Sequence, residues 1–399
     1  MSLILPRAIA SRIQAATPPK AVVVLGARRV GKTTLLNGLP NLGRVESLSG
    51  DFRWDVEKLE SLESLAAVQT FLADADTIII DEAQRVPNIG LIIKRLVDAN
   101  TGTRIFVTGS SALNLAAGVR ESAVGRIVQA QLWPFSLEEL ARVHGWGYVE
   151  RNLERFMIFG LFPEAVTDPE NTRVRLMNYV QDIMLKDAFA LGGIRNLAKI
   201  QELLEILARR IGSEVSYESL GRDLKINSIT VERYIKVLEM CFVVRTCRSF
   251  SRNLANELKK GKKVYFCDLG VRNALINDFS PLLSRKTRDA GAIWENFFFI
   301  ERLKQHKLRE SFVEQYFWRL RGARRLASTE KPVEYSREID FIEVQDNVMK
   351  AYECKLSPDK RDNGGEDFRQ AYPECPIQVV TPADVRRTFS DYDWGEPCR

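Results

Sequence analysis

The sequence is poor in the residues that staple small secreted folds or bind structural metals. Among 399 residues there are two histidines, His144 and His306, and six cysteines, Cys241, Cys247, Cys267, Cys354, Cys375 and Cys398, none in a CxxC pair. That scarcity argues against a structural zinc site, and reduced thiols in a cytoplasmic setting are expected. No run of about 18 uninterrupted apolar residues occurs, so a membrane span is not expected. The opening MSLILPRAIASRIQ is broken by Pro6 and Arg7 before a signal-type apolar core develops. Internal repeats and low-complexity tracts are missing as well. A formal net charge of +6 is too small to define a partner.

What is present is ordinary for a globular protein: 45% hydrophobic and 28% charged residues, in a length suited to two or three domains of about 100–200 residues each. The charge is unevenly spread. The stretch VVRTCRSFSRNLANELKKGKK carries Arg245, Arg248, Arg252, Lys259, Lys260, Lys262 and Lys263 against Glu257 alone. It reads either as a phosphate-contacting patch or as a solvated basic loop.

Along the first 140 residues, β-rich runs (AVVVLG, TIIIDE, TRIFVTGS) alternate with helical patterns (KTTLLNGL, NIGLIIKRLVDA). Nearly unbroken apolar strands separated by helices indicate βαβ units around a parallel sheet covered on both faces. WPFSLEEL then supplies a capping Ser136 ahead of Glu138 and Glu139. From about residue 150 the apolar period becomes helical. Within that region SYESLGRDLKINSITVERYIKVLEMCFVV is similar to a winged helix-turn-helix, with Ser228, Thr230, Arg233 and Lys236 as outward positions able to face a DNA groove. Many such modules pack only against protein. Residues 262–399 return to mixed α and β, with a strand KVYFCDLG, a buried helix GAIWENFFFIERLKQH, a hairpin EIDFIEV/VMKAYECK, and a polar stretch ARRLASTEKPVEYS expected to be a flexible insertion. The expected divisions are residues 1–142, 150–258 and 262–399. The expected class is an α/β chain with a parallel-sheet P-loop domain, a helical and winged-helix middle, and an α+β C-terminal domain.

The strongest motif is GARRVGKT, which fits G-x-x-x-x-G-K-[ST] between a strand and a helix. Its glycines permit a tight turn whose N–H groups face a phosphate, Lys32 reaches the β- and γ-phosphates, and the Thr33 hydroxyl binds Mg²⁺. Gly26, Ala27, Arg28, Arg29, Val30, Gly31, Lys32, Thr33 and Thr34 are therefore the expected ATP-binding residues. The run TIIIDE adds Asp81 for Mg²⁺ and Glu82 to polarise the attacking water. TRIFVTGSS ends in Thr108 and Ser110, placed either to sense the γ-phosphate or to make a local strand-end hydrogen bond.

These pieces resemble the AAA-type P-loop ATPases, and more narrowly a bacterial and archaeal family of two-part ATP-binding proteins. The resemblance rests on GARRVGKTTLL, IIIDEAQRVP, FVTGSSALNL and VGRIVQAQLWPFSLEEL. It implies that Arg126 is a transition-state arginine acting within or between subunits, the alternative being a structural ion pair. It also implies ATP and Mg²⁺ as cofactors, and DNA, RNA, a protein or a second copy of the chain as partners.

The C-terminal domain of that family resembles the restriction-endonuclease-like PD-(D/E)xK fold, whose pattern is a helical Glu, an Asp on one strand and E-x-K on the next. The matching positions are Glu295, Asp340, Glu353 and Lys355, although no Pro precedes Asp340. Strand geometry points the same way. With Asp346-Asn347 as a two-residue turn, Gln345 faces Val348, and counting outward sets Asp340 opposite Glu353 with Lys355 on the same face. Such a group suits Mg²⁺ on Asp340 and Glu353, with Glu295 completing the set and Lys355 orienting or activating water. The alternatives are an exposed hairpin with ordinary acid and base pairs, and a nuclease-like fold that no longer cleaves.

Overall fold

A computed structural model describes residues 5–109, 124–190, 196–251, 261–324, 333–346, 348–357 and 365–390, with side chains undescribed at 182–190, 323–324 and 333–334. The chain forms two compact units. The first comprises residues 1–135, 162–197 and 236–243, and the second residues 136–161, 198–235 and 244–399. The three consecutive divisions read from the sequence do not coincide with these units, because the helical middle is shared between both. Periodicity reports which face of a helix is apolar, not which neighbour covers it.

The first unit is built on five parallel strands: β1 (Ala21–Leu25), β2 (Val45–Ser49), β3 (Thr77–Asp81), β4 (Arg104–Gly109) and β5 (Ile127–Gln131), in the order β2-β3-β4-β1-β5. Every residue of β1 is buried, as are the first four of β3. That is why these strands read as unbroken apolar runs. Val24 pairs with Thr108 and Ala130, and Ile80 with Val107. The loop after Leu25, the end of β3 and Thr108 therefore meet at one edge, the C-terminal edge where ligands bind in such sheets.

The second unit holds a seven-stranded mixed sheet of β6 (Glu214–Val215), β7 (Val244–Ser249), β8 (Lys262–Phe266), β9 (Glu314–Arg324), β10 (Val333–Gln345), β11 (Val348–Cys354) and β12 (Ile377–Val380), in the order β12-β11-β10-β9-β7-β8-β6. One face packs Tyr316, Trp318, Ile339 and Ile342 against Phe368 and Tyr372. The other receives the helix Ala290–Leu308, whose Phe298 and Phe299 meet Phe341 edge to face at 5.4 and 5.5 Å. The helices Tyr217–Leu224 and Ser228–Met240 form where the sequence sets them, joined through Lys225 at φ 56°.

Two expectations are corrected here. The stretch ARRLASTEKPVEYS is strand at both described ends, with Arg324 paired to Val333 and Gly322 to Tyr335, while its residues 325–332 lie outside the described residues. Strand pairing at these ends thus runs past the apolar residues into polar sequence. Lys263 does not belong to a solvated basic loop: it lies on β8, completely buried.

Candidate functional sites in the two units

In the first unit the phosphate loop closes tightly on the sheet. A Cβ on Gly26 would stand 2.4 Å from the Leu132 carbonyl oxygen, so no larger residue fits. Gly31 adopts φ +95° just before the helix Lys32–Asn37, a conformation that disfavours side chains. Lys32 is 6% exposed, and its ammonium donates to the Gly26 and Ala27 carbonyl oxygens, each at 3.0 Å. Ala27 and Val30 are buried, whereas Arg29, Thr33 and Thr34 are exposed and Arg28 is half-buried.

The two halves of the expected site do converge. Thr33 Oγ1 donates to Asp81 Oδ2 at 2.8 Å. Thr108 Oγ1 donates to the other carboxylate oxygen, Oδ1, which also accepts the Glu82 N–H at 3.1 Å. Thr108 thus makes the local hydrogen bond of the two readings and orients Asp81; Ser110 lies outside the described residues. Glu82 sits in the left-handed region at φ 46°, its carboxylate accepting from Gln84 Nε2 at 2.6 Å. A hydroxyl and a carboxylate in direct contact beside a phosphate loop fit Mg²⁺, which takes one or two protein oxygens and completes its shell with phosphates and water.

Arg126 stands elsewhere. It immediately precedes β5, and its carbonyl accepts from Ala21 N at 2.9 Å, at the start of β1. Five-residue strands separate it from the phosphate loop by about 13–17 Å at roughly 3.3 Å per residue. Its guanidinium pairs with Asp98 at 2.5 Å. Within the chain its described contact is thus the ion pair with Asp98 rather than the phosphate loop.

Beside the loop lies a cavity of about 600 Å³, lined among others by Leu5, Arg7, Gly31, Leu35, Phe135 and Arg175. Arg7 links its walls. It stacks on Phe135 at 4.6 Å and donates to the carbonyls of Val30, at 3.0 Å, and Trp133. No motif in the sequence points to Arg7.

In the second unit, the hairpin register is the one counted from the turn: Gln345 pairs with Val348 and Phe341 with Tyr352. A bulge between Ile339 and Ile342 on the β9 side interrupts the ladder at Asp340, a device that re-aims a side chain. Asp340 Oδ2 accepts the Cys354 N–H at 2.8 Å and lies 3.7 Å from Lys355 Nζ. Lys355 also donates to the buried Glu353.

Glu295 projects from the helix Ala290–Leu308 toward the same sheet face. Its Oε1 accepts from Lys263 Nζ at 2.7 Å and Tyr265 OH at 2.6 Å. Lys263 pairs further with Glu338, which is held in turn by Arg319. The four expected groups therefore share a region with Lys263, Tyr265, Glu338 and Arg319, none of which the sequence motifs single out for this site. A signal existed: Lys263 and Tyr265 alternate on one strand, so period two puts both on one face.

The electrostatics follow from burial. Burial alone would lower the Lys263 pKa, but Glu295 and Asp340 outweigh it and raise it. Lys355 behaves likewise under Asp340 and Glu353. Both shifts favour the charged amines. Desolvation raises the Glu295 pKa, a rise that Lys263 partly offsets. Among the described residues no three acidic, histidine or cysteine side chains converge to hold a metal.

Residues 18–141 match a family model described as an AAA domain. Residues 150–282 match a model described as a domain of unknown function. The chain is 26% identical over 310 residues to an uncharacterized protein of Methanocaldococcus jannaschii, covering 71% of this chain and 66% of that one. It is also 26% identical over 300 residues to one of Mycobacterium tuberculosis, covering 74% and 65%. It thus spans just under two thirds of these relatives' length. Among solved structures it is similar to a Walker-type ATPase of Pyrococcus abyssi, at 17% identity and TM-score 0.44, covering 68% of this chain and 96% of that one. Drosophila ORC bound to DNA is more distant, at 16% identity and TM-score 0.25, covering 68% and 98%. Among the described residues no helix is long and apolar enough to cross a membrane.

Proposed function

We propose that the protein is a Mg²⁺-dependent ATPase whose nucleotide state is coupled to a nuclease-like C-terminal domain. The observation that carries the ATPase reading is the Thr33–Asp81 hydrogen bond at the mouth of the phosphate loop. Loop N–H groups and Lys32 receive the β- and γ-phosphates. Thr33 and Asp81 would hold Mg²⁺, which would supply neutralisation of the charge developing on the transferring phosphoryl group. Thr108 fixes the Asp81 carboxylate. Glu82 orients the attacking water with a carboxylate that the Gln84 amide steadies. The cavity beside Gly31, with Leu5, Leu35 and Phe135 in its walls, suits a flat base. Arg126 reaches a phosphate only on an adjacent subunit.

Readings of the C-terminal domain differ in whether its charged cluster cleaves. The helix-borne Glu295 with Asp340, Glu353 and Lys355 on β10, on β11 and just beyond it supports a nuclease-like ancestry, with DNA or RNA as the ligand class. The specific contacts favour binding without metal-dependent cleavage. Glu295 is already engaged by Lys263 and Tyr265, and Asp340 and Glu353 by Lys355, so the carboxylates as they stand do not fit a divalent ion.

The test measures phosphate release from ATP beside cleavage of plasmid, single-stranded DNA and RNA, in the unsubstituted chain, Lys32→Ala and Lys355→Ala. Hydrolysis lost in Lys32→Ala and kept in Lys355→Ala, with no cleavage anywhere, is the expected pattern. Hydrolysis that survives Lys32→Ala would sink the ATPase reading. Mg²⁺-dependent cutting lost in Lys355→Ala would restore the nuclease one.

A further inference from the structure

The second unit contains a cavity of about 290 Å³ that none of Glu295, Asp340, Glu353 and Lys355 lines. We propose that it binds the phosphate monoester group of a small molecule or of a nucleic-acid end, with Lys350, Arg387 and Thr388 as its contacts. Such a site stands apart from both ATP hydrolysis and nucleic-acid cleavage.

Four segments build the cavity. Lys350 and Tyr352 alternate on β11, so the period of two turns both to one face, and Tyr352 pairs with Gln378 of the edge strand β12. The helix Ala290–Leu308 contributes Arg302, and the helix Val385–Ser390 contributes Arg387 and Thr388. These two helices are tied together by Gln305 Nε2, which donates to the Phe389 carbonyl at 2.9 Å. Arg302 is 4% exposed and fixed in place: its guanidinium donates to both Glu343 oxygens, at 2.9 and 2.7 Å, and to Gln305 at 3.1 Å.

The lining holds three cations and no acid. Glu343, behind the wall, balances Arg302, and no lining residue carries a negative charge to set against Lys350 and Arg387. Among the described residues no ion pair holds Arg387, and the buried Thr388 hydroxyl has no hydrogen-bond partner. Buried polar groups are almost always paired, so a hydroxyl left over in a cationic cavity calls for an acceptor. The complement is an anion rich in oxygens. A phosphate monoester brings about −1.5 to −2 charges at neutral pH and three acceptor oxygens, whereas a carboxylate brings a single charge. A phosphodiester backbone also carries one charge per unit and is tracked by an extended basic groove, not by a cavity at the lower end of the small-molecule range.

The experiment titrates inorganic phosphate into the full chain by calorimetry, at constant ionic strength made up with chloride, in the unsubstituted, Arg387→Glu, Thr388→Val and Lys32→Ala chains. The quantity that counts is the binding lost in Arg387→Glu. Arg387 is exposed, so its exchange should leave the melting temperature without phosphate unchanged; if Arg387→Glu does not fold, Arg387→Gln takes its place. The expected result is one such site per chain, weakened about tenfold or more in Arg387→Glu and less in Thr388→Val, and kept in Lys32→Ala, which separates it from the phosphate loop. A second arm compares, by fluorescence anisotropy, a single-stranded oligonucleotide bearing a 5′-phosphate with the same strand bearing a 5′-hydroxyl. A preference for the phosphorylated strand that Arg387→Glu removes assigns the group to a nucleic-acid end; equal binding of the two strands beside an Arg387-dependent phosphate site assigns it to a small molecule. No phosphate binding, binding that Arg387→Glu leaves unchanged, or a site that disappears in Lys32→Ala would each overturn the proposal.

Discussion

Each unit buries a lysine, and their partners differ in kind. Lys32 donates to two carbonyl oxygens of its own loop, which carry partial charge only, and no acid occurs between Gly26 and Asn37. Lys263 is bracketed by full carboxylates, Glu295 and Glu338. The first pair of contacts is made with neutral groups of the phosphate loop itself. The second consumes its charge internally. Burying charge is costly either way; on the proposed function the cost in the first unit serves a ligand, and in the second it serves the fold. Substitutions in the first should therefore change rates, and those in the second should change stability.

The largest effect is expected at Glu82. Glu82→Gln should slow phosphate release by about 10²–10⁴-fold while ATP still binds, as for loss of a group that positions the attacking water. Lys32→Ala should cost about 10²–10³-fold and weaken ATP binding too, since the donor to the developing charge is removed. If either substitution instead lowered the melting temperature and spared the rate, the contrast between the units would collapse.

Glu343 is the sharpest probe of the second unit. Buried completely, it pairs with Arg302 at 2.7 Å and His306 at 2.6 Å, and accepts from Tyr352 at 3.1 Å. Burial alone would raise its pKa, but Arg302 and His306 outweigh it and hold the carboxyl far below its ordinary value. A depressed carboxylate contributes stability above its unfolded pKa, which is lost as the pH falls below about 4.5 toward the folded value. Glu343→Gln should cost about 3–5 kcal/mol at neutral pH, the range for breaking a buried pair, and should flatten the acid limb of a stability-against-pH curve. An unchanged acid limb would mean that the pair is not what acid breaks.

Smaller effects complete the comparison. Thr108→Val removes a hydroxyl donor to a carboxylate and should slow hydrolysis by about tenfold, given roughly 1.5 kcal/mol for such a bond, with little change in melting. Ser136 caps the helix Leu137–His144 in a capping box with Glu139, and Ser136→Ala should lower stability by about 1 kcal/mol without touching the rate.

The phosphate site was legible because its components are local. Gly26, Gly31, Lys32 and Thr33 lie within eight residues, and strand ends such as Asp81 and Thr108 are fixed once the sheet is known to be parallel. Arg126 shows the limit: its position before β5, at the edge opposite the loop, follows from strand order rather than from any motif. In the second unit the hairpin register could be counted from Asp346, since a two-residue turn sets every later pair. The bulge at Asp340 could not, because it depends on how β9 fits against Ile339 and Ile342.

Lys263 marks the boundary between what sequence and tertiary structure decide in this chain. By itself the sequence determined the apolar strands, the phosphate loop and the presence of Glu295, Asp340, Glu353 and Lys355 at suitable spacings, since these depend on residue type and period. It displayed Lys263 as one more member of a basic run. Only the packing of β8 beneath the helix Ala290–Leu308 made it a buried partner of Glu295, because an amine's role depends on which carboxylates the fold brings within ion-pair distance and how much water it leaves between them.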